Sequence, residues 1–554
     1  MNLLSRFKPE PKTPEQKKEL RTERFLLIVS GLLFALSFPP SPLPFLSFIA
    51  LVPLLKVLSG RKTTIAVNRA VYLFGFVASI ASLYWVSGIL MLRDYFLLIA
   101  GGVLLFVNPV FFMIPATLFH KVSNRWGVKV GLLLFPLFWV FYEYMYMFSD
   151  LAFPWLTYGY AVAYFQPFIQ IADIVGVLGI SLIIVFVNVF IFKAIEFYQH
   201  KRKLDKVSFA IVLLLLAIPS IYGIISLANS DEKGDTLAIG IIQPNLDPYD
   251  KWSGGSPDEL VELYLSLSKM SVMQGAKVVL WPETALPLYL LSGNYPQLVD
   301  SIHKFTDTYN VALLTGMPHL IWHTGDSIPS DAKKSMIEGT YYSTYNSVLL
   351  FQPGENRVQF YGKQKLVPFG ERVPFVDAIP MIGNLLRWGV GIGGWNVGKN
   401  TNTLNISMDS GILTKADTLK VGAMVCYESI FPLLSADFSN AGAEFLVVAT
   451  NDSWYGNSSG PYQHKAASIL RSIETRKPVL RAANGGISAF IDKYGRTYEA
   501  SQMYEQTILV NTIVPNTEQT FYTKTSLVLP LIVSITSIVV ILLLFTFRFK
   551  RTTA

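Results

Sequence analysis

The chain has 554 residues, of which 51% are hydrophobic and 15% are charged, and its mean hydropathy is +0.40. The length allows three or four ordinary domains, but this composition excludes a purely soluble protein. The formal net charge of +8 does not extend to the longest polar region, since residues 228–525 carry 23 Lys/Arg against 28 Asp/Glu. A nucleic-acid partner is therefore not expected.

Apolar stretches of membrane-spanning length occur on both sides of this polar region. A bilayer core needs about 20 consecutive apolar residues in a helix. The stretches predict a bundle of about eight transmembrane helices, at 24–40, 43–59, 70–92, 95–119, 128–148, 168–192, 208–228 and 526–547. The first is interpreted as an uncleaved span, because "ALSFPPSPLP" offers no good small-residue cleavage site.

Basic residues indicate the orientation of these spans. The loops on one side, together with both tails, hold 22 Lys/Arg, whereas the short loops on the other side hold Arg93 alone. Because basic loops stay in the cytoplasm, both termini are expected there and the polar region outside. The expected order is a basic tail, a bundle of seven spans, an extracytoplasmic domain, a last span and a second basic tail, at 1–23, 24–228, 229–525, 526–547 and 548–554.

Apolar, β-rich runs alternate with amphipathic patterns in the region 229–525. This alternation predicts an α/β sandwich with helices outside. Helices are expected at 256–275, 296–309, 430–440 and 463–477. Strands are expected at 236–243, 276–283, 311–316, 346–352, 357–363, 420–426, 444–450 and 486–492.

Three of the predicted strands end in chemically reactive residues. "VVLWPE" ends at Glu283, "FYGK" at Lys363, and "GAMVC" at Cys426, the only cysteine. A lone cysteine is by itself more often a small buried hydrophobe, and it excludes an internal disulfide. A carboxylate, an ammonium and a thiol that meet at strand ends suit acyl transfer, however. The carboxylate takes the thiol proton, the thiolate attacks a carbonyl, and the lysine stabilises the oxyanion.

Four ordered motifs connect this site to a known family. "WPETALP", "YGKQKLVPFGERVPF", "CYESIFP" and "NDSWYGNSSGPYQH" resemble the apolipoprotein N-acyltransferases, membrane members of the nitrilase (carbon–nitrogen hydrolase) superfamily. Nearly the whole chain takes part in the resemblance, including "IIQPNLDPYDKW", "FPWLTYGYA" and "LRAANGGISAFID". One tetrapeptide would be weak evidence, whereas four motifs in order within the expected topology are specific.

The resemblance implies a role for each matching residue. Glu283 corresponds to the general base, Lys363 to the lysine that stabilises the oxyanion, and Cys426 to the nucleophile. Glu371 corresponds to a second glutamate that supports the lysine and the tetrahedral intermediate. Three further positions match residues that the family needs for activity or carries in its active-site loop, namely Tyr427, Glu428 and Trp252.

The family's fold and reaction follow by the same resemblance. They imply an αββα nitrilase-type domain docked on a membrane bundle in the bacterial inner membrane, with the domain in the periplasm. An acyl chain from a phospholipid, typically phosphatidylethanolamine, would pass to the cysteine as a thioester. The α-amino group of a diacylglyceryl-cysteine apolipoprotein would then receive it as an amide. No metal or organic cofactor is implied.

Several residues keep alternative interpretations. Lys365 competes with Lys363, because strand alternation would turn both to the same face. His464 invites a Cys–His dyad, although a lone histidine after a loop more often caps or packs. Glu143 and Asp173 lie in or near spans, where a structural pairing competes with a functional role.

Two segments stand apart from the matched motifs. The apolar cluster at 379–388 is expected to form a lid that dips into the outer leaflet, because exposed apolar loops mark interaction surfaces. The stretch 320–344 is interpreted as a lengthened polar loop without an assigned function.

Three classes of function remain in competition. A lipoprotein acyltransferase is favoured over a membrane-anchored amidase that uses water, because one span would suffice as an anchor. A non-enzymatic protein with a decayed domain is disfavoured, because Glu283, Lys363 and Cys426 are all present in their motifs.

Overall fold

A computed structural model describes residues 13–91, 93–230, 234–252, 256–325, 328–375, 394–407 and 418–546. The expected lid at 379–388 lies outside these ranges. The helices before the first strand are α1 (Pro14–Leu36), α2 (Val52–Ser59), α3 (Thr64–Leu83), α4 (Tyr95–Phe111), α5 (Met113–Trp126), α6 (Val128–Tyr146), α7 (Gln166–Ile169), α8 (Ala172–Lys201) and α9 (Lys206–Ala228).

Six helical stretches in the described ranges are long and apolar enough to cross a membrane. They coincide with six of the eight predicted spans, and are Thr64–Ser87, Tyr95–Trp126, Val128–Tyr146, Ala172–Lys201, Lys206–Ala228 and Val528–Thr546. The first predicted span, 24–40, overlaps the second half of α1, which ends at Leu36 and is not among these six. That helix begins earlier, at Pro14, because Thr13 and Gln16 form a capping box there.

The second predicted span, 43–59, is broken. It consists of a 3₁₀ turn (Pro44–Phe48) and the eight-residue helix α2, which rises only about 12 Å. Asn188 of α8 satisfies the backbone at the break. Its side chain accepts a hydrogen bond from the Leu51 N–H at 2.8 Å and donates to the Ser47 carbonyl at 2.7 Å. A buried amide thus replaces the missing helical hydrogen bonds.

Residues of the predicted basic side lie together at one end of the bundle. Arg61 pairs with Glu23 near the start of α1 at 2.7 Å, and Lys56 pairs with Glu196 near the end of α8 at 2.5 Å. The loops that contact the α/β region leave the bundle at its other end, so the grouping of basic loops inferred from the sequence has a structural counterpart.

Two β-sheets form the polar region. One has the order β13-β1-β2-β3-β5-β4 with β6 paired to β5, and the other has the order β12-β11-β10-β9-β8-β7. The strands are β1 (Leu237–Gln243), β2 (Val278–Trp281), β3 (Ala312–His323), β4 (Lys333–Lys334), β5 (Tyr341–Gln352), β6 (Glu355–Gly362), β7 (Leu404–Ser407), β8 (Thr418–Val425), β9 (Phe445–Thr450), β10 (Val479–Ala483), β11 (Ala489–Ile491), β12 (Thr497–Ala500) and β13 (Thr507–Ile513).

Strand alternation divides the core into layers. Leu280 on β2 belongs to the same core as Val447 of the other sheet, so these faces pack on each other. Its neighbour Trp281 faces outward and packs with Tyr264 and Ile302. The remaining helices are α10 (Pro248–Trp252), α11 (Pro257–Met273), α12 (Pro296–Tyr309), α13 (Pro432–Asn440), α14 (Gly460–Thr475), α15 (Phe521–Thr525) and α16 (Val528–Thr546). The αββα prediction is confirmed.

The interpretation of 320–344 as a loop is wrong in part. Strand β3 continues to His323 and pairs with β5 down to the register His323↔Tyr341, so both strands extend into the stretch. Trp322 stacks edge-on against Tyr342 across this pair. Aromatic residues favour strands, and cross-strand pairs of this kind stabilise a hairpin. The polar residues nearby led to the prediction of a loop instead.

The membrane helices and the α/β region meet along a polar seam. The segment "FPWLTYGYA" lies at this seam, where the Tyr160 hydroxyl donates to the Ile430 carbonyl at 2.6 Å. Besides Arg93–Asp247 at 2.5 Å, the described residues form two largely buried ion pairs here, which we call the seam pairs: Arg471–Glu474 at 2.9 Å and Arg476–Asp173 at 2.6 Å. Asp173 therefore has a structural partner.

Glu143 also has structural partners. It accepts hydrogen bonds from the Trp139 indole at 2.9 Å and from the Tyr158 N–H at 2.8 Å. The carboxylate thus ties α6 to the backbone of the "FPWLTYGYA" segment, which accounts for a buried charge in this helix without a role in chemistry.

Candidate active site

Cys426 follows β8 directly and begins a 3₁₀ turn, Cys426–Ile430. Its φ of 50° lies in the left-handed region, and two other non-glycine residues at this site share that feature: Thr284 after Glu283, with φ 49°, and Phe369 before Glu371, with φ 64°. Such conformations cost about 1–3 kcal/mol each and cluster where a fold must aim a side chain.

Three charged side chains from the other sheet converge on the cysteine, and we call them the cavity cluster: Glu283, Lys363 and Glu371. The Lys363 Nζ lies 2.8 Å from Glu371 Oε1 and 3.5 Å from Glu283 Oε1. Asn346 on β5 donates to the same two oxygens at 2.8 Å each. Glu371 Oε2 accepts from the Val367 N–H at 2.8 Å, so the turn after Lys363 fixes the second carboxylate.

Close backbone packing positions Glu283. Glu283 lies just past the end of β2, and the backbone of Gly316 on β3 lies beside it. A Cβ at Gly316 would lie 2.6 Å from the Glu283 Cα, a distance that real contacts do not tolerate. Glycine at position 316 therefore allows the two strands to bring Glu283 to the cluster.

Electrostatics keep the thiol protonated at rest. Burial raises the pKa of Cys426, the Glu283 carboxylate raises it further, and Lys363 opposes both effects. Burial also raises the pKa of Glu283, while Lys363 lowers it and Glu371 raises it. For Lys363 burial lowers the pKa, but the Glu371 and Glu283 carboxylates outweigh burial and raise it overall, so this lysine stays charged. The cluster then carries one negative charge in excess, able to accept a proton.

The structure separates the two competing lysines. Lys363 comes directly after β6 and is 1% exposed, inside the cavity cluster. The Lys365 ammonium instead lies over the rings of Phe431 and Phe148, at 5.3 and 5.8 Å from their centroids. Strand β6 ends at Gly362, so the alternation that would turn both lysines to one face does not continue to 365.

Glu428 organises the backbone around the nucleophile. Its carboxylate accepts hydrogen bonds from the Val425 N–H at 2.8 Å, the Gln364 N–H at 2.6 Å and the Tyr361 hydroxyl at 2.8 Å. Burial raises the pKa of Glu428 to about 7, although these hydrogen bonds lower it. The side chain joins the turn at Cys426 to the segment that carries Lys363.

Tyr427 connects the same turn to the membrane part. Its hydroxyl donates to the Ala152 carbonyl, and its ring stacks on Phe153 and Trp155, with centroids 6.2 Å apart in each case. The position of the nucleophile is therefore coupled to the "FPWLTYGYA" segment. Trp252 is the last residue of α10, and its side chain lies outside the described part of the chain.

The His464 side chain contacts the backbone of Cys426 and not its thiol. The imidazole Nε2 lies 2.9 Å from the Cys426 carbonyl oxygen, and Nδ1 lies 2.8 Å from Asp452. In the described ranges, Cys426, Asp452 and His464 are the residues whose grouping could hold a metal ion. They do not fit one, because both ring nitrogens have protein partners and Arg481 neutralises Asp452 at 2.9 Å.

A cavity that is open to solvent extends from the cavity cluster to the membrane helices. Glu283, Lys363, Glu371 and Cys426 line its polar end. Its apolar wall is lined by residues of α4 and of the turn before it: Val86, Phe96, Leu97, Ala100, Gly101 and Leu104. Much of the surface of α4 is exposed, as at Ile99 (66%), so the cavity reaches a lipid-facing helix.

Asn346 is a site residue that the sequence did not identify. It opens the predicted strand 346–352 and was counted only as part of that strand. A polar side chain at the end of an otherwise apolar run was the available signal, but its two carboxylate partners lie 63 and 25 residues away in the chain.

Comparisons with known proteins agree with this architecture. Residues 30–190 match the apolipoprotein N-acyltransferase N-terminal domain, and residues 239–522 match the carbon-nitrogen hydrolase domain. The apolipoprotein N-acyltransferase of Chlorobaculum tepidum is 33% identical over 90% of this chain and 92% of its own length. That of Geobacter metallireducens is 30% identical over 91% and 92%. The chain belongs to the apolipoprotein N-acyltransferase family.

Two solved structures are similar to about half of this chain. A carbon-nitrogen hydrolase from Helicobacter pylori is 13% identical, with a TM-score of 0.35, over 50% of this chain and 89% of that one. An amidase from Nesterenkonia is 15% identical, with a TM-score of 0.34, over 52% and 94%.

Proposed function

We propose that this chain transfers a fatty acyl chain from a membrane phospholipid to the N-terminal α-amino group of a diacylglyceryl apolipoprotein. The observation that carries the proposal is the single cavity that joins Cys426 and the cavity cluster to the lipid-facing helix α4. Membership in the family, whose relatives bear the name apolipoprotein N-acyltransferase, supports the lipoprotein acceptor.

The first half-reaction would load the cysteine. Glu283 takes the proton of the Cys426 thiol as the sulfur attacks the ester carbonyl of the phospholipid. Lys363 stabilises the oxyanion of the tetrahedral intermediate, and Glu371 holds the lysine in place. The ester C–O bond breaks, the lysophospholipid oxygen takes the proton from Glu283, and the acyl chain remains as a thioester.

The second half-reaction would unload it. The α-amino nitrogen of the lipoprotein attacks the thioester carbonyl and gives its proton to Glu283. The C–S bond breaks, the sulfur regains the proton, and the product is an amide. The phospholipid donor, probed first as phosphatidylethanolamine, and the ping-pong order belong to this proposal.

An amidase that uses water is the second candidate, and the membrane part argues against it. A hydrolase with an anchor has no need of a cavity wall built by Leu97, Ala100 and Leu104 of a membrane helix. A lipid acyl chain would occupy such a wall, because apolar surface is best satisfied by apolar ligand.

The proposed location is the bacterial inner membrane, with both termini in the cytoplasm and the α/β domain in the periplasm. The distribution of basic residues supports this orientation. The ion pairs of Lys56 and Arg61 lie at the end of the bundle away from the seam, where that rule expects the cytoplasm.

Mass spectrometry of lipoprotein N-termini tests the function directly. Cells that depend on this protein should carry a third acyl chain on their lipoproteins and should lose it when the protein is depleted. Normal N-acylation after depletion would remove the proposal, and release of free fatty acid by the purified protein without N-acylation would favour the amidase.

A matched pair of variants tests the cavity wall. Ala100→Trp would fill the cavity beside α4, whereas Ile99→Trp places the same ring on an exposed position of the same helix. We expect the first to slow acylation of Cys426 by bilayer phospholipid about tenfold or more and the second to leave it unchanged. Equal rates would show that the acyl chain enters elsewhere.

A further inference from the structure

A second group of buried charges contacts the backbone of the nucleophile rather than its thiol. His464 lies between the Cys426 carbonyl oxygen, 2.9 Å from Nε2, and Asp452 Oδ1, 2.8 Å from Nδ1. Arg481 donates to the other oxygen of Asp452 at 2.9 Å. His464, Asp452 and Arg481 are 2%, 4% and 0% exposed. Buried polar and charged groups of this kind are costly unless they are hydrogen-bonded.

The hydrogen-bond partners of the two ring nitrogens orient the His464 ring. Nδ1 faces a carboxylate and Nε2 faces a peptide carbonyl, both of which can only accept, so the ring is oriented with Nε2 toward the Cys426 carbonyl as a donor. Ser429 Oγ, 2.9 Å from Nε2, directs its own proton to the same carbonyl at 3.0 Å. Burial would raise the pKa of Asp452, but His464 and Arg481 outweigh it and hold that pKa at about 2.

The carbonyl that His464 contacts belongs to the peptide bond that follows the nucleophile. The Cys426–Tyr427 peptide carries the Tyr427 N–H at its other end, and the residue after a nucleophile commonly supplies an N–H to the oxyanion. A ring N–H that donates to this carbonyl polarises the peptide and makes the Tyr427 N–H a stronger donor. The same hydrogen bond helps to hold Cys426 at φ 50°.

We propose that His464, held in place by Asp452, which Arg481 anchors in turn, is a positioning residue that holds and polarises the Cys426–Tyr427 peptide, so that the Tyr427 N–H assists Lys363 at the oxyanion. The inference rests on the proposed acyl transfer through Cys426. His464 is not the base, because its Nε2 proton is directed to the carbonyl of Cys426 and Glu283 accepts the thiol proton.

The experiment measures acylation of Cys426 by labelled phospholipid in full-length protein, with His464→Leu, His464→Gln and His319→Leu as variants. Leucine removes the donor, glutamine restores a neutral N–H near the Nε2 position, and His319 is a partly buried histidine on β3 that contacts Phe360. We expect His464→Leu to lower the acylation rate about 10²-fold with an unchanged KM for phospholipid. His464→Gln should recover at least about tenfold of this loss, and His319→Leu should match the wild type.

Thermal unfolding of each variant separates positioning from folding. A His464→Leu variant that acylates at the wild-type rate would overturn the proposal. So would a His464→Gln variant that is as stable as wild type yet no faster than His464→Leu, since that result indicates a proton-transfer role. Labelling of wild-type Cys426 is checked first, because its failure would count against acyl transfer itself and not against the role of His464.

Discussion

The cavity cluster and the seam pairs are both buried sets of charges, but they are balanced differently. Each seam pair joins one acid to one base: Arg471 with Glu474, and Arg476 with Asp173. The cavity cluster sets two carboxylates against Lys363 alone and opens into a cavity. Burying an unbalanced charge is unfavourable for folding, so an excess carboxylate beside a nucleophile in an open cavity points to chemistry rather than to stability. Balanced pairs at an interface between two parts of a chain hold those parts in register.

The largest expected effect comes from removing the group that the cavity cluster serves. Cys426→Ser should fold, but its rate of acyl-enzyme formation should fall at least about 10³-fold. A hydroxyl is a much weaker acid than a thiol, and Glu283 is too weak a base to activate it. Incubation with labelled phospholipid alone should label wild-type Cys426 with an adduct that neutral hydroxylamine removes. Near-normal activity of the serine variant, or a sensitive label elsewhere, would show that Cys426 is not the nucleophile.

The next effect tests whether the cluster depends on shape as well as charge. Lys363→Arg keeps the cation but cannot reproduce its contacts with Glu371 and Glu283 at 2.8 and 3.5 Å, so transfer should fall about 10²-fold. Lys365→Ala, on the aromatic side of the turn, should change it less than about threefold. The reverse ranking in a transfer assay would mean that Lys365, and not Lys363, has the catalytic role.

The excess negative charge of the cluster also predicts a pH dependence. Glu283 must be ionised to take the thiol proton, and burial, its largest influence, raises its pKa above the ordinary 4.5. Acylation should therefore fall as the pH is lowered through that raised pKa, and the midpoint should lie above 4.5. Asn346→Leu removes a hydrogen bond that lowers the pKa, so its acidic limb should move to higher pH. If the acidic limb of the pH–rate profile does not move in this variant, a group other than Glu283 determines it.

Much of this site was accessible from the sequence, because its motifs coincide with strand ends. Glu283, Lys363 and Cys426 each come at or just past the end of a strand, two of them on one sheet and Cys426 on the other. What the sequence could not give are the contacts between distant segments. Asn346 between two carboxylates and His464 on the Cys426 carbonyl depend on contacts between residues 25 to 63 positions apart in the chain, which no local pattern records.

The fold shows the same division. Long apolar helices and apolar strands were predicted close to their observed positions. Strand β10 was missed because Arg481 interrupts its apolar pattern, and that arginine is buried only because Asp452 pairs with it. The broken span at 43–59 was predicted as a single helix because the polar group that makes the break tolerable, Asn188, comes from a helix far along the chain.

The smallest expected effect concerns a seam pair, and it completes the comparison. Glu474→Gln removes the charge but keeps an oxygen that can accept from the Val177 N–H, as Glu474 does at 2.7 Å. It leaves Arg471 buried without its acid and should lower the free energy of unfolding by about 3–5 kcal/mol. Adding Arg471→Met removes the remaining charge. Since a buried pair exchanged as a unit for neutral side chains is often nearly neutral, the double variant should recover most of the lost stability and should acylate Cys426 at close to the wild-type rate. Thermal unfolding in detergent and the labelled-phospholipid assay measure the two quantities separately. If the double variant is as stable as wild type but inactive, the seam pair takes part in the reaction, and the distinction between balanced and unbalanced charges does not hold for this protein.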